Sequence, residues 1–112
     1  HSEPEPDIAV VRGSPRDFMK HPTTALLVVE VSQTSLPFDS TRKAALFARS
    51  GIEEYWIVNL VDGCLDVYRR PQIDDQLEFG GRYAEFRRLV GSETVTPLAA
   101  PASQIRVADL LP

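Results

Sequence analysis

The sequence has little cysteine, little positive charge and no long apolar run, and each shortage argues against a class of protein. Its 112 residues include one cysteine, Cys64, so no internal disulfide can form and a reducing cytoplasm is the expected compartment. The net charge of −4 argues against a protein that coats nucleic acid, because that affinity comes mainly from phosphate neutralisation. No stretch approaches the roughly 20 apolar residues of a membrane span, and the first residues lack the features of a secretory signal.

The length and composition predict one domain, residues 1–112, that buries roughly 65% of the surface of its unfolded chain. The negative net charge still permits an enzyme that uses divalent cations as its positive charge. Two basic pairs, Arg69-Arg70 and Arg87-Arg88, either contact a nucleic-acid backbone or are solvated residues on strand edges, and we favour the second interpretation.

The first half of the chain predicts two strands and one helix. Ile8 to Arg12 is an apolar strand, and Leu26 to Val31 is a nearly uninterrupted apolar run, typical of a central strand covered on both faces. Asp39 or Ser40 can cap a helix that runs to Ser50, with Gly51 in the left-handed position after it.

The second half predicts antiparallel strands. Tyr55 to Leu60 and Leu65 to Arg70 form a hairpin through Asp62-Gly63, and Arg82 to Leu89 is a further strand after a loop from Pro71 to Gly81. Within the first of these strands, alternation predicts that one of Tyr55 and Trp56 lies in the core. The fold class is therefore α+β, or mixed α/β, with one main helix.

One acidic residue stands out because it lies inside the apolar run. A buried, ionised carboxylate is costly without a cation or a donor, so Glu30 needs a partner, and Asp39 and Lys43 are the nearest candidates. They are four residues apart on the predicted helix and so share one face. With Asp7 before the first strand, these residues predict a Mg²⁺ or Mn²⁺ site. The alternative is a surface Asp39-Lys43 pair, with Asp39 as a helix cap.

Four segments, in this order and spacing, resemble the Uma-two family of restriction endonucleases, within the PD-(D/E)XK nuclease superfamily. They are Pro6 to Val11, Leu27 to Ser32, Asp39 to Lys43, and Gly51 to Val58. The resemblance implies a restriction-endonuclease-like mixed β-sheet and a metal-dependent hydrolysis of DNA phosphodiesters. It also implies that Asp7 and Glu30 bind the metal and that Lys43 assists catalysis.

The chain departs from the pattern of that family in two places. The superfamily lysine normally lies two residues after the strand acid, where this chain has Ser32, and Lys43 on the following helix takes its place. The usual N-terminal segment is also missing. The chain is then a fragment, a natural short form, or a domain that borrows strands from a partner, and unpaired strand edges favour a homodimer. The competing function is a catalytically degenerate module that acts in oligomerisation or protein binding.

Overall fold

The computed structural model describes residues 8–10, 26–33 and 37–112. In chain order the elements are β1 (Ile8–Val10), β2 (Leu27–Ser32), α1 (Pro37–Arg49), β3 (Glu54–Asn59), β4 (Cys64–Ile73), β5 (Gly81–Leu89), β6 (Thr94–Val95), β7 (Ile105–Arg106) and a 3₁₀ turn (Val107–Asp109). The prediction of a mixed α+β fold with one main helix is confirmed for these residues, and the architecture is consistent with a restriction-endonuclease-like fold.

A five-stranded mixed sheet organises the molecule, with the strand order β1-β2-β3-β4-β5. The β2 and β3 strands are parallel, whereas the other neighbours are antiparallel. Parallel neighbours need a crossover connection, and α1 lies within the segment that provides it. The β6 and β7 strands form a separate two-stranded sheet.

Both faces of the main sheet carry a hydrophobic core. On one face Val28, Tyr55 and Ile57 pack with Ala44 and Phe47 of α1. On the opposite face a second cluster joins the sheet to the C-terminal region, through Leu27, Trp56, Val58, Leu65, Val67, Leu89, Val95 and Val107. Because the sheet is covered on both sides, Tyr55 and Trp56 are both buried. The prediction that one of the two lies in the core was therefore too narrow.

The α1 helix ends as the sequence predicts but begins earlier. Gly51 has a φ of 82° after the last turn, where Ile52 N donates to Phe47 O at 3.1 Å. The first helical residue is Pro37, whose ring is preorganised for that position, so Asp39 lies inside the first turn and is not the cap. No helix in the described part of the chain is long and apolar enough to cross a membrane.

The hairpin of β3 and β4 is confirmed, but β4 is longer than predicted. It continues through Pro71 to Ile73, where the sequence suggested a loop. Pairing of β4 with β3 stops at Arg69, so the missing amide hydrogen of Pro71 breaks no bond to β3. Arg70 between them has a φ of 64°, and beyond it β4 pairs with β5 alone among the described strands.

Candidate functional site

Glu30 lies near the carboxyl end of β2, on the sheet face that α1 covers, and is 8% exposed. Its carboxylate accepts two hydrogen bonds from side chains of other elements. Lys43 Nζ donates to Oε1 at 3.2 Å, and Tyr55 Oη donates to Oε2 at 2.7 Å. The buried charge is therefore compensated by one cation and one hydroxyl, as its burial requires.

Tyr55 holds its hydroxyl against Glu30 from the neighbouring strand. It is fully buried in β3, and its ring meets that of Phe47 of α1 edge-on, with centroids 5.0 Å apart. Burial raises the pKa of Tyr55 well above its usual range, and the adjacent Glu30 charge raises it further. The phenol consequently keeps its proton and acts as a donor. Sequence reasoning missed this contact.

Lys43 approaches the carboxylate from α1. The helix carries it over the end of β2, and its side chain is 28% exposed while it bridges to Oε1 of Glu30. The predicted closeness of these two residues is thus present in the structure. Asp39 lies one turn earlier on α1, but its side chain is outside the described residues, so the suggested Asp39-Lys43 pair is not described.

Two further predicted residues bracket Glu30 along the chain. Ser32 ends β2, is paired with Asn59 of β3, and accepts a bond from Leu60 N through its carbonyl at 2.9 Å. Asp7 lies outside the described residues. The strand that follows it, β1, is paired with β2, and its first residue, Ile8, is opposite Val29. The strand that follows Asp7 and the strand that carries Glu30 are thus neighbours in the sheet.

A second buried carboxylate lies in the same transverse row of the sheet as Glu30. The row runs from Glu30 through Ile57 and Asp66 to Arg88. Asp66 is 5% exposed, and Arg88 grips it with two bonds, Nε to Oδ1 at 2.8 Å and Nη2 to Oδ2 at 3.2 Å. This bidentate pairing raises the pKa of Arg88 above its usual value. The Cys64 thiol beside it is buried, and burial raises its pKa.

A third buried carboxylate, Glu54, lies at the start of β3 and is fully buried. Its Oε2 accepts from Trp56 Nε1 at 2.7 Å and from Arg69 Nε at 2.8 Å, and its Oε1 accepts from Leu98 N at 2.8 Å. Arg69 Nη2 also donates to Thr96 O at 2.7 Å. These contacts tie the sheet to the C-terminal segment, so Glu54 has a structural role.

In each of the two basic pairs, Arg69-Arg70 and Arg87-Arg88, one arginine binds a buried carboxylate and the other does not. Arg70 and Arg87 are exposed, as the solvated interpretation requires. Arg69 and Arg88 are instead ion-paired with the buried carboxylates of Glu54 and Asp66, because each acid must be neutralised where it is removed from water. For Arg69 the interpretation as a solvated strand-edge charge was wrong, whereas the side chain of Arg88 is ion-paired and also 49% exposed on the edge strand β5.

The chemistry of the donor set fits one part of a divalent metal site. Each oxygen of Glu30 accepts one described hydrogen bond and retains lone-pair capacity, and Mg²⁺ and Mn²⁺ favour carboxylate oxygens. Within residues 26–33 and 41–112, no three His, Cys, Asp or Glu side chains form a group that could hold a metal ion. Asp7, which lies outside these residues, is the second ligand that the sequence predicts.

Comparison with known proteins finds a family for this chain. The family model Uma2, described as "Putative restriction endonuclease", matches residues 1–108. No curated protein matches the sequence. The match covers nearly the whole chain, in agreement with the resemblance that the four segments carry, and supports a nuclease-like function at the level of the family.

Proposed function

The chain belongs to the Uma2 family, and from this we propose that it is a metal-dependent endonuclease that hydrolyses DNA phosphodiester bonds. The observation that carries the proposal is the buried Glu30 with Lys43 at 3.2 Å from Oε1. A carboxylate and an amine side by side at the end of a central strand provide the two kinds of group that phosphodiester hydrolysis with a metal needs.

Two carboxylates would hold the cation. Glu30 is one of them, and Asp7 is proposed as the other. The antiparallel pairing of Ile8 with Val29 supports this, because a register that continued by one residue would match the position before Ile8 with Glu30. A bound Mg²⁺ or Mn²⁺ would supply a Lewis acid that polarises the phosphodiester.

The protein groups around Glu30 would orient the reactants. The hydrogen bond from Tyr55 on β3 would hold Oε2 of Glu30 in place and so set the direction of Oε1. Lys43, partly exposed, would orient or help deprotonate the attacking water and offset the charge that develops on phosphorus. Asp39, one turn before Lys43 on α1, and Ser32, two residues after Glu30 on β2, are proposed as supporting residues.

One observation favours a second candidate. Both oxygens of Glu30 already have a protein donor, which is also what a purely structural buried carboxylate would show. A degenerate nuclease domain that retains its core and acts by self-association or by binding another protein is therefore the alternative. A cytoplasmic location and a homodimer are proposed in either case.

Metal binding tests the site before any cleavage assay. We expect calorimetric titration of Mn²⁺ to give saturable binding to the wild type and loss of that binding in Asp7→Ala and in Glu30→Ala. The control is Glu53→Ala, which removes an exposed carboxylate and should bind as the wild type does. If the wild type does not bind Mn²⁺, or if the site variants bind it equally well, the metal-site proposal is wrong.

Plasmid cleavage then tests the role of Lys43. Lys43→Met should retain Mn²⁺ binding but lose about 10²-fold or more in the cleavage rate, as happens when a group that stabilises transition-state charge is removed. Lys43→Met with unchanged cleavage would refute the catalytic role. Binding of Mn²⁺ without any cleavage by the wild type would favour the degenerate module.

A further inference from the structure

The outer edge of β5 is unusual for the edge of a sheet. The strand is nine residues long, and none of the other described strands pairs with its outer side. Such an edge presents unpaired N–H and C=O groups that can pair with another strand. Phe86, in the middle of β5, is 51% exposed and lies on the face of the main sheet that α1 packs against.

Phe86 is the outermost ring of an aromatic row that crosses the sheet. Tyr55, Tyr68 and Phe86 are paired in register on β3, β4 and β5. The centroids of Tyr55 and Tyr68 are 5.5 Å apart, and those of Tyr68 and Phe86 are 5.0 Å apart. A strand added outside β5 would continue this row if it placed an aromatic or apolar residue beside Phe86.

The charges along β5 indicate which strand fits. When a two-fold axis perpendicular to the sheet relates two antiparallel strands, side chains that lie opposite each other must project from the same face of the sheet. This condition is met only if one residue on the axis lies opposite the same residue of the second copy. Centring the pair on Glu85 opposes two carboxylates, and centring it on Arg87 or on Arg88 opposes two guanidinium groups. Like charges directly opposite each other are unfavourable.

Centring the pair on Phe86 gives the opposite result. Phe86 then faces Phe86 of the second copy, and Glu85 faces Arg87 of the second copy on both sides of the axis. Centring it on Ala84 brings no opposite charges together and places Glu85 opposite Tyr83. Of these five registers, only the one at Phe86 combines complementary charges with continuation of the aromatic row.

We infer that the outer edge of β5 binds a second copy of this chain as an antiparallel strand, with Phe86 on the two-fold axis, so that two main sheets form one continuous sheet. This surface gives the proposed homodimer a specific interface. The inference does not depend on nuclease activity, because none of its residues belongs to the proposed metal site.

Charge reversal tests the register. We expect sedimentation equilibrium to show a dimer for the wild type. Either Glu85→Arg or Arg87→Glu alone should raise the dissociation constant of the dimer about tenfold or more, because like charges then face each other on both sides of the two-fold axis. The double variant Glu85→Arg/Arg87→Glu should restore it. Arg70→Ala is the control, because Glu85 also forms a 3.4 Å ion pair with Arg70 within the chain. The control should dimerise as the wild type does.

Crosslinking locates the axis independently. In a Cys64→Ala background, Phe86→Cys should be joined into a covalent dimer by a short bismaleimide, because the two introduced thiols face each other. The control is Ala84→Cys, also exposed on β5, whose copies would lie four residues apart along the strand, about 13 Å, and should crosslink poorly.

Three results would overturn the inference. A wild type that is monomeric at all accessible concentrations excludes the dimer. Single charge reversals that leave the dissociation constant unchanged exclude the β5 interface, and a double variant that does not recover excludes the Phe86 register. Mn²⁺ binding and cleavage are read separately, so failure of the nuclease proposal would leave these outcomes unaffected.

Discussion

Replacing Tyr55 by phenylalanine removes one hydroxyl from the interior and leaves the packed ring in place. That hydroxyl donates the 2.7 Å bond to Oε2 of Glu30, and hydrogen bonds to charged groups contribute roughly 1.5–3 kcal/mol. The ring contacts with Phe47 and Tyr68 do not involve the hydroxyl. We therefore expect Tyr55→Phe to lower the free energy of unfolding at pH 7 by about 2 kcal/mol.

Tyr83 provides a matched control on the same face of the sheet. Its hydroxyl also donates at 2.7 Å, but the acceptor is the neutral carbonyl of Ile52. Tyr83→Phe should cost about 1 kcal/mol, the value for a neutral pair. Urea unfolding followed by the fluorescence of Trp56, the single and buried tryptophan, measures both variants.

We attribute the larger cost of Tyr55→Phe to the charge of Glu30, so removing that charge should make the costs of Tyr55→Phe and Tyr83→Phe equal. In a Glu30→Gln background the amide oxygen still accepts from Tyr55, but the bond is neutral, and Tyr55→Phe should cost only about 1 kcal/mol. Equal costs for Tyr55→Phe and Tyr83→Phe in the wild type would refute this reasoning. So would a cost of Tyr55→Phe that is the same with glutamate and with glutamine at position 30.

Three further predictions concern the packing and the buried charges of the same sheet. Gly81→Ala should destabilise the fold by about 1–3 kcal/mol in urea unfolding, because its Cβ would meet backbone atoms of α1, at 2.6 Å for Arg49 N, whereas Gly91→Ala, with 3.6 Å to its nearest neighbour, should change little. Arg69→Ala should cost about 3–5 kcal/mol because it leaves the Glu54 charge buried without its cation, against at most about 0.5 kcal/mol for the exposed Arg70→Ala. All three tyrosines have pKa values raised above 10 in the folded chain, mainly by burial, so the unfolded chain loses their protons first and stability falls as the pH rises beyond about 10. Tyrosinate absorbance should therefore appear together with unfolding, and its appearance in the folded protein near pH 10 would contradict this.

The end of α1 and the turn between β3 and β4 were predicted correctly, because each is determined by a few consecutive residues. Gly51 ended α1, and the Asp62-Gly63 turn joined β3 to β4, because turn and cap geometry is set within a few residues. The extension of β4 beyond Arg70 depends on where β3 stops and on a left-handed residue that is not glycine. Neither property is encoded in a local pattern, so sequence reasoning ended the strand too early.

The closeness of Lys43 and Glu30 was predicted from the same kind of local signal, whereas the other contacts of Glu30 were not. Helical spacing and the short connection from β2 brought Lys43 to Glu30. The Tyr55 contact depends on the parallel register of β2 and β3, in which Val28 lies opposite Tyr55, and a sequence alone does not fix that register. The burial of Asp66 could have been predicted from the sequence, because Asp66 lies between Leu65 and Val67 just as Glu30 lies between two valines. The same signal, applied evenly along the chain, identifies both acids.

The three buried carboxylates in the described part of the chain differ in how firmly their charges are held. Glu54 is bound by an indole, a guanidinium group and a backbone amide, and Asp66 is gripped by the rigid fork of Arg88. Glu30 has a hydroxyl and a flexible, partly exposed amine at 3.2 Å. An ammonium group is a mobile point charge, whereas a bidentate guanidinium fixes both oxygens. An incoming cation would therefore displace less at Glu30 than at either of the other acids, which is a physical reason to propose the metal site there.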